Sequence, residues 1–504
     1  MDLAMWMDVI ARVFSLSSIL MAFLGTSLGI VFGALPGFTA AMGVAVLLPL
    51  TYGMDPATAL IMLAGIFQGA MYGGSISAIL INTPGTPSAA ATTLDGYPMA
   101  KKGLAADALR ESVIASFIGG VFGITCLLLL SPQLAKVALM FGPPEQFMLA
   151  IFGLTVIAAV SEESLLKGFL SGFLGLIIAT IGMDPLLGRP RFTFGISGLT
   201  DGIQLVPAMI GLFSIPEVLN IVRDYVFGVS EMTVDVRKLK IGFPSLRHIW
   251  EFLSIYVRSS IIGVIIGIIP GCGGSIASFL AYNETKRASK HPEKFGTGIP
   301  EGVAAAESAN NAMAGGALIP MLTLGVPGDA VSAIIMGALL LHGLRPGGEL
   351  YKWNASIVFT FIIGLYVACT IMLILGLYCV PYFSKVLELP KHMLAASVLL
   401  FTVLGSYALR NNMFDVYVMI VFGVIGYLLK SFGFSVVPMV LGMILGPMAE
   451  KGLNNTIAIS YGSNIVLFVL KRPICLVLLL FILGSIAFSL YRWLGQRREA
   501  YAGD

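Results

Sequence analysis

The stretch "LINTPGTPS", residues 80–88, interrupts one of the most apolar parts of the chain. It places one asparagine, two threonines, two prolines, a glycine and a serine between two hydrophobic segments. Lipid cannot satisfy the backbone groups that such residues expose, so the stretch is tolerable at membrane depth only where protein or an aqueous cavity covers it. It therefore predicts a broken helix whose tip lies inside a membrane protein.

The composition places the chain in the membrane class. Of its 504 residues, 57% are hydrophobic and 11% are charged, and the mean hydropathy is +0.92. An ordinary soluble domain has about 25% charged residues. The hydrophobicity is continuous rather than alternating, which selects helices over barrel strands. We predict an all-α polytopic integral membrane protein with roughly 10–12 transmembrane segments.

Basic residues are concentrated between the two halves of the chain and in its tail. They are Arg223, Arg237, Lys238, Lys240, Arg247 and Arg258, followed by Arg492, Arg497 and Arg498. The positive-inside rule places both groups in the cytoplasm. The net charge is only +3 and these residues form no continuous basic run, so we expect no nucleic-acid partner.

The two halves of the chain resemble each other at three places, in the same order. "GIVFGALPG" at 29–37 matches "GVIIGIIPG" at 263–271, and "AMYGGSISAILINTPG" at 70–85 matches "AMAGGALIPMLTLGVPG" at 312–328 with one extra residue. "GIQLVPAMIGLFSIP" at 202–216 matches "GFSVVPMVLGMILGP" at 433–447. We therefore predict two homologous repeats. An odd number of crossings per half would invert the second copy and an even number would leave it parallel; the inverted arrangement is our prediction.

The repeats divide the chain into four predicted parts. Residues 1–225 form an N-terminal membrane repeat, 226–255 a basic cytoplasmic linker, 256–455 a C-terminal membrane repeat, and 456–504 a final transmembrane helix and cytoplasmic tail. Hydrophobic segments broken by Gly and Pro at corresponding places in two halves are typical of secondary transporters.

The broken segments are the candidate substrate site. At a helix break, free N–H groups favour an anion, whereas carbonyl, amide and hydroxyl oxygens favour a cation. The predicted substrate-binding residues are Asn82, Thr83, Pro84, Gly85, Thr86 and Ser88 in the first copy, and Gly325, Val326, Pro327, Gly328 and Asp329 in the second. The alternative is that both loops are lipid-interface turns in which Asn82 and Asp329 act only as caps.

Two further breaks follow the first matching motif. They are Pro36 and Gly37 in the first half, and Pro270 and Gly271 in the second. Basic residues lie on both sides of the second break, so the segment around "PGCGGS", residues 270–275, is predicted to enter the membrane and return as a re-entrant helical hairpin.

A polar face is predicted on the segment "EGVAAAESANNAMAGG", residues 301–316. Helical spacing places Glu307, Asn310 and Asn311 on one side, where they are expected to bind a coupling cation or the substrate. Aligning Ala312 with Ala70 sets Gln68 opposite Asn310. The alternatives are an interfacial charge at a helix start for Glu307 and an interhelical hydrogen bond for Gln68.

The other titratable residues give no sign of an enzyme. The four histidines lie in or beside loops, no nucleophile with a matching base is readable, and the five cysteines have no metal-ligand spacing. We expect no catalytic residue, no cofactor and no metal beyond a transported sodium ion. Asp95 is predicted to cap a turn at the surface.

Longer motifs carry a family resemblance. They are "GALPGFTAAMGVAVLLPLTYGMDPATAL", "YGGSISAILINTPGTPSAAATTLDGYPMAKKG", "IASFLAYNETKRASKHPEKFGTGIPEGVAAAESANNAMAGGALIPMLTLGVPGDA" and "MGALLLHGLRPG". The chain resembles the large membrane subunit of the tripartite tricarboxylate transporters. That resemblance implies a bacterial inner-membrane carrier for carboxylates, driven by an ion gradient, that works with a small membrane subunit and a periplasmic substrate-binding protein.

The resemblance also points to particular positions. The family's Pro-Gly loops fall on Asn82–Ser88 and Gly325–Asp329, and its Glu-rich segment falls on Glu301, Glu307, Asn310 and Asn311. The chain departs from the pattern at Ala306, where a proline is expected, and in the glycine-rich "GCGG" after Pro270. Loss of that proline weakens the expectation that Glu307 is held in a site.

The leading hypothesis is an ion-driven importer of a di- or tricarboxylate or a related organic acid, with sodium or a proton as the coupling ion. Citrate, another di- or tricarboxylate, or an aromatic acid are all open as substrates. One rival is a carboxylate channel or facilitator. The other is a membrane-embedded transferase, which would require Glu301, Glu307 and Asp329 to converge on one pocket.

Overall fold

The computed structural model describes residues 3–160, 165–184, 188–226, 242–385, 391–461 and 464–502. The first half contains the helices α1 Leu3–Val13, α2 Leu16–Ala34, α3 Ala40–Leu47, α4 Pro56–Ile81, α5 Thr93–Lys101, α6 Ala105–Ala138, α7 Pro143–Val160, α8 Leu165–Ala179 and α9 Leu205–Val226. Short 3-10 turns lie at Leu48–Thr51, Pro87–Ala89 and Ser197–Leu199, and the antiparallel strands β1 Gly182–Met183 and β2 Pro190–Arg191 form one two-residue ladder.

The second half is helical as well. It contains α10 Leu246–Ile268, α11 Gly273–Ala288, α12 Pro300–Leu324, α13 Ala330–Leu341, α14 Gly348–Trp353, α15 Ala355–Tyr378, α16 Val380–Phe383, α17 Lys391–Ala408, α18 Met413–Ser431, α19 Val437–Ile459, α20 Ile465–Leu470 and α21 Pro473–Ala502, with a 3-10 turn at Pro292–Lys294.

Seven of the described helices are long and apolar enough to cross a membrane. They are α2, α4, α6, α9, α10, α15 and α18, and five shorter apolar helices accompany them. The predicted class, an all-α polytopic membrane protein, is confirmed. Arg237, Lys238 and Lys240 of the predicted basic linker lie outside the described residues.

The chain forms two compact units. The first contains Met1–Ala135 and Phe213–Asn411, and the second contains Lys136–Leu212 and Asn412–Asp504. Each unit takes segments from both predicted repeats. The boundaries drawn along the sequence therefore describe the predicted duplication and do not coincide with the compact units.

In the first unit, α2 packs on α4 with the two backbones almost touching. At three glycines of α2 an added Cβ would lie 2.2 to 2.4 Å from a carbonyl oxygen of α4. The pairs are Gly25 with Met62, Gly29 with Ile66, and Gly33 with Ala70. The residue numbers of the contacting pairs rise together along both helices, so the two helices are parallel. The short helix α3 must therefore bring the chain back between them.

The helices α10 and α12 form a second pair of the same kind. A Cβ added to Gly263 would lie 2.3 Å from the carbonyl oxygen of Ala309, and a Cβ added to Gly267 would lie 2.4 Å from that of Met313. These helices are also parallel, and here α11 is the returning segment. The prediction that the chain enters and returns around residues 270–275 matches this helical hairpin.

The two parallel pairs run in opposite directions. Three sets of contacts link them. Between α6 and α12, Gly119 meets Ser308 and Gly123 meets Ala312; between α6 and α15, Val113 meets Gly376 and Gly120 meets Cys369. Between α4 and α15, Ile61 meets Gly364 and Tyr72 meets Gly376. Thus α6 is parallel to α12 and antiparallel to α15, while α15 is parallel to α4. It follows that α4 is antiparallel to α12, as the predicted inverted arrangement requires.

In the second unit, each half of the sequence supplies a glycine that packs against a helix of the other half. Gly211 of α9 lies against the backbone of Met419 in α18, and Gly442 of α19 lies against that of Gly172 in α8. Gly211 and Gly442 are corresponding positions in the third sequence match. Small residues permit this close approach, and the van der Waals packing that results contributes to helix association in a bilayer.

Candidate functional site

The two polar loops begin in the same way. Helix α4 ends at Asn82 with φ of 54°, and α12 ends at Gly325 with φ of 70°. Only glycine, and to a lesser degree asparagine, adopts this left-handed conformation readily, so either residue can end a helix here. Asn82 and Thr83 are exposed, whereas Gly85, Thr86 and Ser88 are buried. In the second loop all residues from Gly325 to Asp329 are buried.

Both loops fold back along the helix that they leave. The Gly85 N–H donates to the Gly74 carbonyl at 3.2 Å, and the Gly328 N–H donates to the Ala317 carbonyl at 3.3 Å. An added Cβ would lie 1.9 Å from the Gly33 carbonyl oxygen at position 85. The corresponding distance to the Gly267 oxygen at position 328 is 2.3 Å. Glycine is therefore required at both tips by the space available.

The tip of the α10–α11 hairpin contacts both loops. The Gly271 N–H donates to the Gly328 carbonyl at 2.7 Å. At Gly274, an added Cβ would lie 2.6 Å from Ser88 Cβ and 2.8 Å from Asn310 Oδ1. The break at Pro270 and Gly271 thus brings the start of α11 between the first loop and α12. The break at Pro36 and Gly37 has the same left-handed glycine, with φ of 85°, but nothing lies within 4 Å of a Cβ added to it.

A first group of buried polar atoms surrounds the start of α11. Thr86 and Ser88 share a hydrogen bond of 3.1 Å between their hydroxyls. The Asn310 Nδ2 donates to the Met71 carbonyl at 3.0 Å, and its Oδ1 has no hydrogen-bond partner among the described residues. The N-cap residue Cys272 makes no capping hydrogen bond with its side chain. Helix N–H groups beside hydroxyls form an anion-binding arrangement, whereas the free Asn310 Oδ1 can only accept a hydrogen bond or contact a cation.

A second group consists of two amides, one from each broken helix. Gln68 and Asn311 are fully buried, and Gln68 Oε1 and Asn311 Oδ1 have no hydrogen-bond partner among the described residues. Both lie beside Gly120, where a Cβ would be 3.5 Å from Gln68 Oε1 and 3.9 Å from Asn311 Cβ. Uncharged oxygens without donors are ligands that suit a hard cation.

The two amides occupy corresponding positions in the two halves. The difference in residue number between Gln68 and Asn311 is the same as that between Asn82 and Gly325, Gly85 and Gly328, and Gly74 and Ala317. It sets Gln68 opposite Asn311, so the sequence alignment of Gln68 with Asn310 was wrong by one position.

Glu307 lies one turn before Asn311 and is fully buried. The Thr92 hydroxyl donates to its Oε1, and the Ser116 hydroxyl donates to its Oε2 at 3.1 Å. Ser116 lies one turn before Gly120 on α6, and α6 is parallel to α12. The carboxylate and the amide pair are therefore stacked one helical turn apart. Glu307 is not an exposed interfacial charge at the helix start.

The structural role of Asp95 was not predicted from the sequence. It is fully buried, and the prediction of a surface turn is wrong. Its Oδ1 accepts the N–H groups of Gly296, Gly298 and Ile299 at 2.7 to 3.1 Å, and the Tyr282 hydroxyl donates to its Oδ2 at 2.8 Å. Asp95 thus caps the start of α12 from the neighbouring helix α5. The glycine-rich "GTG" before α12 was the sequence feature that could have indicated a capped loop there.

The candidate acids of a transferase do not converge. Asp329 caps α13, accepting the Ser332 N–H at 2.8 Å. Its neighbour Gly328 lies at the level of Ala317, ten residues beyond Glu307, which is about 15 Å along a helix. Glu301 lies in the other direction along the helix, in the first turn of α12.

Taken together, the opposed helix pairs and the buried polar groups at their breaks define a multi-pass membrane protein of the transporter class. The model of the tripartite tricarboxylate transporter TctA family matches residues 19–441, and the chain belongs to that family. It is a family of transporter subunits, not of enzymes, and the resemblance stated from the motifs is confirmed.

Two relatives come from Agrobacterium vitis. One is described as an uncharacterized 52.8 kDa protein in the TAR-I ttuC' 3' region; it is 38% identical over 482 residues, which cover 96% of this chain and 95% of the relative. The other, an uncharacterized protein in the TAR-II ttuC' 3' region, is 39% identical over 201 residues, covering 40% of this chain and 83% of the relative. No solved structure matches the chain.

Proposed function

We propose that this chain is the carrier subunit of a tripartite importer. It takes a di- or tricarboxylate, or a related organic acid, from a periplasmic binding protein and moves it across the bacterial inner membrane together with sodium or a proton. A small membrane subunit completes the transporter. Membership of the tripartite tricarboxylate transporter family supports the three-component system.

One observation carries the proposal, namely the position of the α11 start. It lies between Ser88 and Asn310, and the same hairpin tip is hydrogen-bonded to Gly328 of the second loop. A substrate carboxylate placed there would accept the first N–H groups of α11 and the hydroxyls of Thr86 and Ser88. None of the contacts described for these residues involves a lysine or arginine, so the helix terminus and a co-bound cation would balance the substrate charge.

The cation is proposed to bind at Gln68, Asn311 and Glu307. Two amide oxygens without donors and a carboxylate one turn away supply oxygen ligands and a negative charge. A buried carboxylate without a basic partner is costly unless it is protonated or paired with a cation. Both outcomes couple a cation to the site, and the oxygen-rich surroundings favour sodium.

We further propose that the fold arose by duplication and that the halves now differ in function. The spacing that pairs Gln68 with Asn311 also pairs Ser88 with Val331 and Asn310 with Phe67. Ser88 and Asn310 of the polar group around α11 therefore have apolar counterparts in the other half, whereas Thr86 corresponds to Asp329. This difference supports one carboxylate site near the first loop, with the second loop holding the hairpin tip in place through Gly271.

The test is uptake of radiolabelled carboxylates into vesicles that contain all three components, with sodium, potassium and pH varied separately. We expect accumulation that depends on the binding protein and on one cation gradient, and that is reduced in N310L. Accumulation without any cation gradient would contradict the coupling, and uptake of no carboxylate at all would contradict the substrate class.

The channel alternative is distinguished by counterflow. A carrier preloaded with unlabelled substrate drives transient accumulation of label above equilibrium, whereas a channel only equilibrates it. Transient accumulation in the same vesicles is the expected result; simple equilibration would favour the channel.

A further inference from the structure

The outer face of α10 and α11 contains an open groove with a cavity volume of about 540 Å³. Its walls are chiefly apolar and one end carries charge. Arg258 and Ile261 of α10 and Glu284 of α11 are among the lining residues. The groove is separate from the polar groups at the helix breaks.

Arg258 supplies a positive charge that no carboxylate among the described residues balances. Its Nε is buried without a hydrogen-bond partner, and no carboxylate in the described part of the chain pairs with its guanidinium. Glu284 lines the same groove, but its carboxylate pairs with Arg287 at 2.9 Å. An arginine within a membrane-spanning helix is expensive unless it reaches an anion or the interface.

The groove lies at the interfacial end of a lipid-facing surface. From Arg258 the same face of α10 continues through Ile261 and Ile265 to Ile269 just after the helix end, and these side chains are 44%, 54% and 38% exposed. Because α11 runs back along α10, Arg258 is level with Glu284, one turn before α11 ends and the charged segment 289–294 begins. Acyl chains would cover the isoleucines, and headgroups would lie at the level of Arg258.

We propose that this groove binds one anionic phospholipid, with the headgroup phosphate on Arg258 and an acyl chain between α10 and α11. A basic site between helices at the headgroup level has the chemistry of such a lipid. The alternative occupant is a helix of the small membrane subunit. Closely packed membrane helices favour small residues at their contact, whereas α10 presents bulky isoleucines beyond a groove only two turns long.

The test uses the purified full-length chain in detergent and native mass spectrometry with added phosphatidylglycerol or phosphatidylethanolamine. We expect R258Q to retain about fivefold less phosphatidylglycerol than the wild type, and R258K to retain most of it. The matched control is R247Q, because Arg247 lies on the same helix, is 87% exposed and pairs with Glu251. Phosphatidylethanolamine retention should not change in any variant.

Two results support the groove itself. I261W, which fills the apolar part while leaving Arg258 in place, should also lose phosphatidylglycerol, and addition of the small membrane subunit should not displace the bound lipid. The proposal is overturned by equal retention in the wild type and R258Q, by an equal loss in R247Q, or by an equal loss of both lipids. Displacement of the lipid by the small subunit would assign the groove to the subunit interface instead.

Discussion

Asn310 and Met71 join the two opposed helix pairs at their crossing. The Asn310 Nδ2 donates to the Met71 carbonyl at 3.0 Å, while its Oδ1 points toward Gly274 and has no hydrogen-bond partner among the described residues. The amide is thus fixed by its donor and available through its acceptor. A buried acceptor without a donor costs free energy of about 1–3 kcal/mol, so Asn310 Oδ1 is expected to meet a hydrogen-bond donor or a cation when the site is occupied.

The first prediction concerns the two loop glycines. G85A and G328A should each reduce uptake by about tenfold or more, because the added methyl group meets backbone carbonyl oxygens and prevents the loop from seating. The measurement is initial uptake rate in vesicles, normalised to the amount of inserted protein. G484A is the matched control, since a Cβ at Gly484 meets nothing within 4 Å. Normal uptake in both loop variants would show that the loops are not part of the site.

The second prediction concerns the paired amides. Q68L and N311L should each raise the sodium concentration needed for half-maximal uptake by about tenfold, because each removes one oxygen ligand for the cation. Substrate affinity at saturating sodium should change little. Q204L is the control, since Gln204 hydrogen-bonds the Asp201 carbonyl in an exposed turn. A change in substrate affinity with unaltered sodium dependence would place these amides in the substrate site.

The third prediction concerns the buried carboxylate. E307Q keeps the shape of the side chain but removes the negative charge that Thr92 and Ser116 stabilise. We expect accumulation against a gradient to be lost while exchange of substrate at equilibrium continues. The comparison is E293Q, at a carboxylate whose side chain is 66% exposed. Wild-type accumulation by E307Q would exclude Glu307 from cation coupling.

The fourth prediction concerns the cap on α12. D95N should lower the free energy of unfolding by about 2 kcal/mol or more, because the ionised carboxylate accepts three backbone N–H groups and a tyrosine hydroxyl in a buried place. Thermal unfolding in detergent measures the loss.

The control for the cap is D107N. Asp107 pairs with Arg110 on the protein surface, where an ion pair contributes about 0–1 kcal/mol. If D95N and D107N unfold at the same temperature, the Asp95 cap does not stabilise α12.

The sequence by itself determined the class of protein, the positions of the helix breaks and the polar loops. These depend on local chemistry. Continuous apolar runs must form helices in lipid, and the Pro-Gly pairs at 84–85, 270–271 and 327–328 lie where those helices break, whereas a single proline such as Pro320 stands inside a helix. The ends of α4 and α12 and the hairpin at 270–275 were predictable for this reason, as was the correspondence between the two polar loops.

Only the tertiary structure decided which side chains meet. Every residue of α12 from Gly302 to Thr323 is buried, so hydropathy could not indicate which face of this helix meets which neighbour. The one-residue shift that pairs Gln68 with Asn311 was invisible in a small-residue helix where several alignments fit. The contacts of Glu307 with Thr92 and of Asp95 with Gly298 join segments some two hundred residues apart. They depend on how the opposed helix pairs pack, which no local pattern specifies.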